Sequence, residues 1–113
     1  MREGVVKRAR AALCATALCV VAVSAFAQDA PSIRPEEIQA GAKIYSQNCS
    51  PCHGARMMDP QGAFDLRTFP QDGYSRFVNS VTRGKNNMPP WGDLLKREEI
   101  DALWSYVVAG ERK

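Results

Sequence analysis

The sequence predicts an all-α fold of three main helices joined by loops, and three observations carry that expectation. Apolar side chains recur with helical spacing from Ile38 to Tyr45 and from Ile100 to Val108, and a shorter stretch, Phe77 to Val81, shares one face. No strongly alternating or β-branched run lies near the cysteine pair at the centre of the chain. That pair forms Cys49-Ser50-Pro51-Cys52-His53, whose thiols stand one helical turn apart and lead straight into the chain's 1 histidine.

With 113 residues the chain has room for one domain, and its first 27 read as a segment removed from it. Arg2, Lys7, Arg8 and Arg10 form a basic start, Ala11 to Val23 is an apolar run short for a membrane span, and Ala25-Phe26-Ala27 fits a small-x-small cleavage site. The expectation is a secretory signal peptide over 1–27, cut before Gln28, which takes Cys14 and Cys19 with it. An uncleaved anchor is the competing reading, since the 17 residues from Ala11 to Ala27 can cross a thinned bilayer. Cleavage removes the whole formal charge of +3, leaving 11 basic and 11 acidic residues. A neutral chain gives nucleic-acid binding no support, and with the leader gone no segment remains for stable membrane insertion.

Residues 28–34 are a polar, flexible lead-in, and 35–113 form the folded domain. Pro35 suits the first position of a helix, with Glu36 and Glu37 at the positive end of its dipole. Ile38, Gly41, Ala42 and Tyr45 then line one face leading into Cys49. Gly41 costs about 1 kcal/mol against Ala in a helix interior, so a second helix crossing closely over it is expected. Residues 54–72 read as a loop with Phe64, Leu66 and Phe69 as its apolar contacts. Asp72 is placed to cap a helix in which Phe77, Val78 and Val81 share a face, and Gly84 to end it. Residues 85–92 form a second loop around Asn86-Asn87-Met88-Pro89-Pro90-Trp91. The last helix carries Ile100, Leu103, Trp104, Val107 and Val108 on one stripe, with Glu98 and Glu99 near its start, Arg112 and Lys113 beyond Gly110, and the weak cap Lys96.

Two thiols one turn apart can both add to vinyl groups on one edge of a porphyrin, and the adjacent imidazole is then held under the iron as its proximal ligand. The spacing points to one covalent haem c on Cys49, Cys52 and His53. A structural zinc site wants four ligands, and no second pair of cysteines or histidines completes it. A thioredoxin-like thiol pair needs a strand, crossover and helix around it. Two small buried thiols beside a core histidine do not suit the polar surround Ser-Pro-Cys-His-Gly. Export agrees with the chemistry, because c-type haem is attached outside the cytoplasm. An 86-residue mature chain has a marginal apolar core, which a porphyrin would complete, so the apoprotein is expected to be largely unfolded.

The sixth coordination position separates a closed electron carrier from an open ligand-binding site. With one histidine, bis-histidine ligation is excluded, and the candidates are the sulfurs of Met57, Met58 and Met88. Met57 and Met58 follow His53 too closely to reach the opposite haem face. Met88 lies 35 residues on, and two prolines after it bias it to extended backbone in a stiff loop. Met88 is therefore the expected distal ligand; the plain alternative is an ordinary surface or core methionine.

A helix ending in the Cys49 to His53 motif, a loop, a middle helix, a Met-Pro loop and an amphipathic last helix resemble the class I cytochrome c family across residues 35 to 110. The resemblance implies an all-α class I cytochrome c fold wrapped around one haem, and the shuttling of single electrons. It also implies that Gly41 and Tyr45 on the first helix cross Leu103 and Tyr106 on the last. The span from His53 to Met88 is short for the family, so the compact bacterial members are the better guide. Where those carry a Pro-Asp-Leu stretch whose carbonyl orients the proximal imidazole, this chain has Phe64-Asp65-Leu66, and the resemblance implies the Phe64 carbonyl in that role.

These observations combine into an expected periplasmic monohaem electron carrier that catalyses nothing alone and exchanges electrons with redox protein partners, with Arg83 and Lys85 near the Met loop available for docking. One alternative is a dedicated haem subunit of a larger complex, such as a quinoprotein dehydrogenase or a terminal oxidase. The other is an open-site haem enzyme or gas sensor in which Met88 leaves the iron.

Overall fold

The structure is a computed structural model, and it describes residues 29–111. The leader over 1–27 with its cleavage point, Cys14, Cys19, and the basic pair Arg112 and Lys113 lie outside the described residues. Four helices form, α1 Pro35–Asn48, α2 Ser50–His53, α3 Tyr74–Arg83 and α4 Arg97–Ala109, with short 3₁₀ turns at Ala55–Met57 and Leu66–Thr68. Among the described residues no strand forms; an isolated antiparallel bridge pairs Lys85 with Met88.

The crossing of α1 over α4 dominates the packing. Gly41 lies so close to α4 that a β-carbon there would stand 2.0 Å from the Ala102 carbonyl oxygen and 2.8 Å from Tyr106 Cβ. The expected close crossing is present, and its nearest groups on α4 are the Ala102 backbone and Tyr106. Beside it the rings of Tyr45 and Tyr106 pack tilted, with centroids 5.2 Å apart. Two elements exceed what periodicity suggested. On α4 the expected stripe is buried, and so are Ala102, Ser105 and Tyr106, because α1 and α3 both press against this helix. In the loop 54–72, Met57 is 0% exposed and belongs to the core, whereas Met58 beside it is open to solvent.

Asp72 does not cap α3. Gly73 holds the N-cap position without a side-chain bond, because Pro70 to Gly73 closes a turn through Gly73 N–H to the Pro70 carbonyl (3.1 Å) and places Asp72 inside it. Gly84 does end α3. At α4, Lys96 is the N-cap as expected, and a lysine side chain cannot accept the N–H it faces. Only the return half of a capping box forms: Lys96 N–H donates to Glu99 Oε2 at 2.7 Å.

An aromatic cluster closes the far side of α4. Trp104, 1% exposed, takes Phe69, Tyr74 and Phe77 around it at centroid distances of 6.1, 5.5 and 5.4 Å. Of the three apolar loop contacts expected, Phe69 is buried, Leu66 is half-buried, and Phe64 stays 55% exposed with its ring edge against Phe69.

Candidate functional site

The helix that delivers the motif ends one residue early and restarts. Cys49 N–H still donates to the Tyr45 carbonyl at 2.8 Å, and the Cys49 carbonyl then accepts from Cys52 N–H (3.2 Å) and His53 N–H (2.9 Å). Cys49, Cys52 and His53 therefore ride on one closed turn. Cys49 is half-buried, Cys52 exposed, and both are free thiols. Burial, with Cys52 adding to it, pushes the Cys49 thiol up to about 11. A thiol so held stays protonated at neutral pH, unlike the low-pKa thiolates of redox cysteines. Among the described residues no three His, Cys, Asp or Glu side chains gather as a metal site.

His53 Nδ1 lies 3.1 Å from the Phe64 carbonyl oxygen. A carbonyl can only accept, so the contact is a hydrogen bond when Nδ1 carries the ring proton, and Nε2 then offers its lone pair. This places Phe64 where the resemblance implied it, without a proline to stiffen the segment. The stiffening comes from Asp65, which accepts from Arg67 N–H (3.0 Å), Arg67 Nε (3.0 Å) and Arg67 Nη2 (2.9 Å). The only trace of that clamp in the sequence is an acid two residues before an arginine.

Residues 54–57, just beyond the histidine, are fixed by contacts that no motif announced. Gly54 has φ 82°, and a β-carbon on it would stand 1.6 Å from the Met58 carbonyl oxygen. Its own carbonyl accepts from Tyr45 Oη at 2.6 Å. Arg56 and Met57 both take the left-handed region, at φ 56° and 59°, costing about 1–2 kcal/mol each. Arg56 forks onto Glu111 at 3.2 and 2.9 Å, tying this turn to the segment just past α4. Burial pushes the Tyr45 and Tyr106 hydroxyls up to about 12, so both stay protonated as donors.

Met88 sits in a loop closed by backbone bonds. Lys85 N–H donates to the Met88 carbonyl (3.1 Å), Met88 N–H to the Lys85 carbonyl (2.9 Å), and Trp91 N–H to Val81 on α3 (2.8 Å). Its side chain is half-buried and packs on the core together with Leu66, Trp91 and Leu95. Met57 is consumed by the core. The donor set thus fits a covalent haem: two free thiols on one turn, an imidazole whose Nδ1 is engaged by a carbonyl, a thioether on a pinned loop, and half-buried apolar groups from both flanking loops.

An all-α clasp of crossed helices presenting this donor set is suited to holding a covalent haem. Residues 36–107 match the family described as cytochrome c oxidase, cbb3-type, subunit III. The chain is 32% identical over 93 residues to cytochrome c6 of Nostoc sp. strain PCC 7120, covering 78% of this chain and 83% of that one. It is 35% identical over 80 residues to quinohemoprotein alcohol dehydrogenase ADH IIB of Pseudomonas putida, covering 68% of this chain and 12% of that one. Among solved structures, cytochrome c6 of the diatom Phaeodactylum tricornutum superposes with a TM-score of 0.50 at 32% identity, covering 66% of this chain and 93% of that one. The chain belongs to the class I c-type cytochromes. It is an electron carrier, not an enzyme, and its family implies covalent haem c and redox protein partners.

Proposed function

We propose that this chain carries one haem c, joined through thioether bonds to Cys49 and Cys52, with His53 as the proximal iron ligand and Met88 as the distal one, and that it shuttles single electrons in the periplasm. The observation that carries the reading is the Phe64 carbonyl 3.1 Å from His53 Nδ1, which fixes the ring's orientation and leaves Nε2 for the iron. A single Cys-x-x-Cys-His run supports one haem. When bound, the haem supplies an Fe(II)/Fe(III) couple. The chain's own residues orient the imidazole, hold the thioether on a stiff loop and keep water from the apolar side of the site. Arg83 and Lys85 beside the Met88 loop are exposed cations suited to docking an acidic rim on a partner.

The periplasmic reading rests on residues 1–27 as a leader cleaved near Ala27 and Gln28. Lead-in 28–34 and domain 35–113 follow from it. No helix among the described residues is long and apolar enough to cross a membrane. A second reading, a haem subunit of a larger oxidase or quinoprotein dehydrogenase, is favoured by the family description and by the dehydrogenase relative. Co-purification of the native holoprotein with a large partner would select it.

The test is Met88→Ala in the holoprotein. A soft thioether favours ferrous iron, so its loss should lower the reduction potential, abolish the weak near-infrared sulfur-to-iron band and open the reduced haem to carbon monoxide. Met57→Ala and Met58→Ala should leave the band in place. Retention of the band in Met88→Ala contradicts the ligand assignment. Its absence from the unmutated protein favours an open site. Mass spectrometry of the same preparation should find one haem and a chain beginning near Gln28.

A further inference from the structure

Tyr45 touches the attachment turn at both of its ends. Its backbone carbonyl accepts from Cys49 N–H at 2.8 Å, where the turn begins. Its hydroxyl donates to the Gly54 carbonyl at 2.6 Å, one residue past His53, where the turn ends. That carbonyl also accepts from Met57 N–H at 3.2 Å, and Gly54 N–H returns to the Ser50 carbonyl at 2.9 Å. The backbone leaving His53 is thus held through both its N–H and its carbonyl.

The crossing of α1 over α4 asks only for a ring at position 45. A phenylalanine would fill the same place against Tyr106, whose centroid lies 5.2 Å away. A buried hydroxyl is a cost unless it is bonded, and Tyr45 is fully buried, so the work of this oxygen lies in its bond to the chain beyond His53. The imidazole is therefore fixed from two sides. On one, the Phe64 carbonyl stands 3.1 Å from Nδ1, carried by a segment that the Asp65–Arg67 bonds hold still. On the other, the ring hangs from a backbone whose exit is bonded to Tyr45.

We propose that the Tyr45 hydroxyl is a positioning group for His53: by anchoring the Gly54 carbonyl it keeps Nδ1 in line with the Phe64 carbonyl and so sets the donor strength of Nε2. The proposal rests on the haem reading above. A hydrogen bond at Nδ1 makes an imidazole a more basic ligand, and a more basic ligand favours ferric iron. Without the hydroxyl the Gly54 carbonyl can drift, the His53 backbone turns with it and the Nδ1 contact lengthens. Nε2 is then the weaker donor, ferrous iron is favoured and the reduction potential rises. Tyr106 supplies the control, because it is the other buried phenol of the same crossing and its hydroxyl faces Glu111 at 3.4 Å, away from the motif.

The experiment compares Tyr45→Phe and Tyr106→Phe with the unmutated holoprotein by redox titration, by nuclear magnetic resonance of the reduced state and by thermal melting. Tyr45→Phe should raise the potential and speed exchange of the His53 Nδ1 proton with water roughly tenfold, the factor that one net hydrogen bond supplies. Tyr106→Phe should move neither, whatever its melting temperature. Equal shifts in the two variants, or a potential and an Nδ1 exchange rate unmoved in Tyr45→Phe, reduce the hydroxyl to a share in stability and overturn the positioning role alone. If Tyr45→Phe fails to hold haem, the unmutated protein decides the question. A Tyr45 hydroxyl proton in free exchange with water overturns the anchor, whereas a slowly exchanging one coupled across the hydrogen bond to the Gly54 carbonyl carbon supports it. An unmutated preparation lacking a haem c spectrum, or one whose His53 ring protons lack the large upfield shifts of an iron-bound imidazole, overturns the haem reading and the positioning role with it.

Discussion

The α1 and α4 crossing and the two loops that carry the candidate site are built by different physics. The crossing depends on side-chain size: a glycine at the point of contact, Tyr45 on Tyr106 beside it, and apolar residues on almost every side of α4. The loops depend on backbone. Residues 54–57 are held by left-handed dihedrals and by bonds from Tyr45 and Arg56, Phe64 by the Asp65–Arg67 clamp, and Met88 by reciprocal bonds to Lys85. A frame specified by packing can therefore carry loops whose chemistry is specified almost independently. The two regions meet at Tyr45, which packs in the crossing and donates to the carbonyl next to the proximal histidine.

The severest test of this division removes the thioether anchors. Cys49→Ala with Cys52→Ala should leave a chain with little helical circular dichroism, because a domain as small as residues 29–111 buries too little apolar surface without a porphyrin. A cooperative, native-like melt would show that the crossing alone sustains the fold. Next comes Met57→Ala. It empties a fully buried site within the loop region and should cost about 2–5 kcal/mol by denaturant titration, while leaving the near-infrared band unaltered. A cost of a few tenths would return Met57 to the surface.

Gly41→Ala sharpens the comparison through its sign. Helix propensity alone favours alanine by about 1 kcal/mol. Overpacking against the Ala102 carbonyl should reverse this and destabilise the protein by about 1–3 kcal/mol. A stabilised variant would mean that the helices do not approach as described.

The smallest effect is expected at Glu111. Arg56 holds the Glu111 carboxyl below its ordinary value. Its contribution is therefore complete above the unfolded value of about 4.3 and fades as pH falls through the lower folded value. Glu111→Gln should melt slightly below the wild type at neutral pH, with the gap closing in acid. A gap that does not depend on pH would show that the fork acts by shape and not by charge.

Much of the frame was legible because helices repeat. Ile38 to Tyr45, Phe77 to Val81 and Ile100 to Val108 announce their faces by spacing, and the cost of Gly41 announces a close neighbour. The candidate attachment residues stood out because covalent attachment would demand thiols at one spacing beside an imidazole. Pro89 and Pro90 marked Met88 by stiffening its loop. These conclusions need only local geometry.

Tertiary structure decided what depends on residues far apart in the chain. The core place of Met57 follows from a left-handed turn that contacts with Tyr45 on α1 and Glu111 past α4 support, and no periodicity reaches it. Asp72 lost the cap to Gly73 because the turn from Pro70 fixed the chain direction before α3 began. The burial of Ala102, Ser105 and Tyr106 was set by α1 and α3 pressing on α4 together, whereas a single-helix pattern shows one stripe. The carbonyl of Phe64 came to His53 through a clamp made by Arg67, since a backbone acceptor carries no side-chain identity and is placed only when distant contacts close around it.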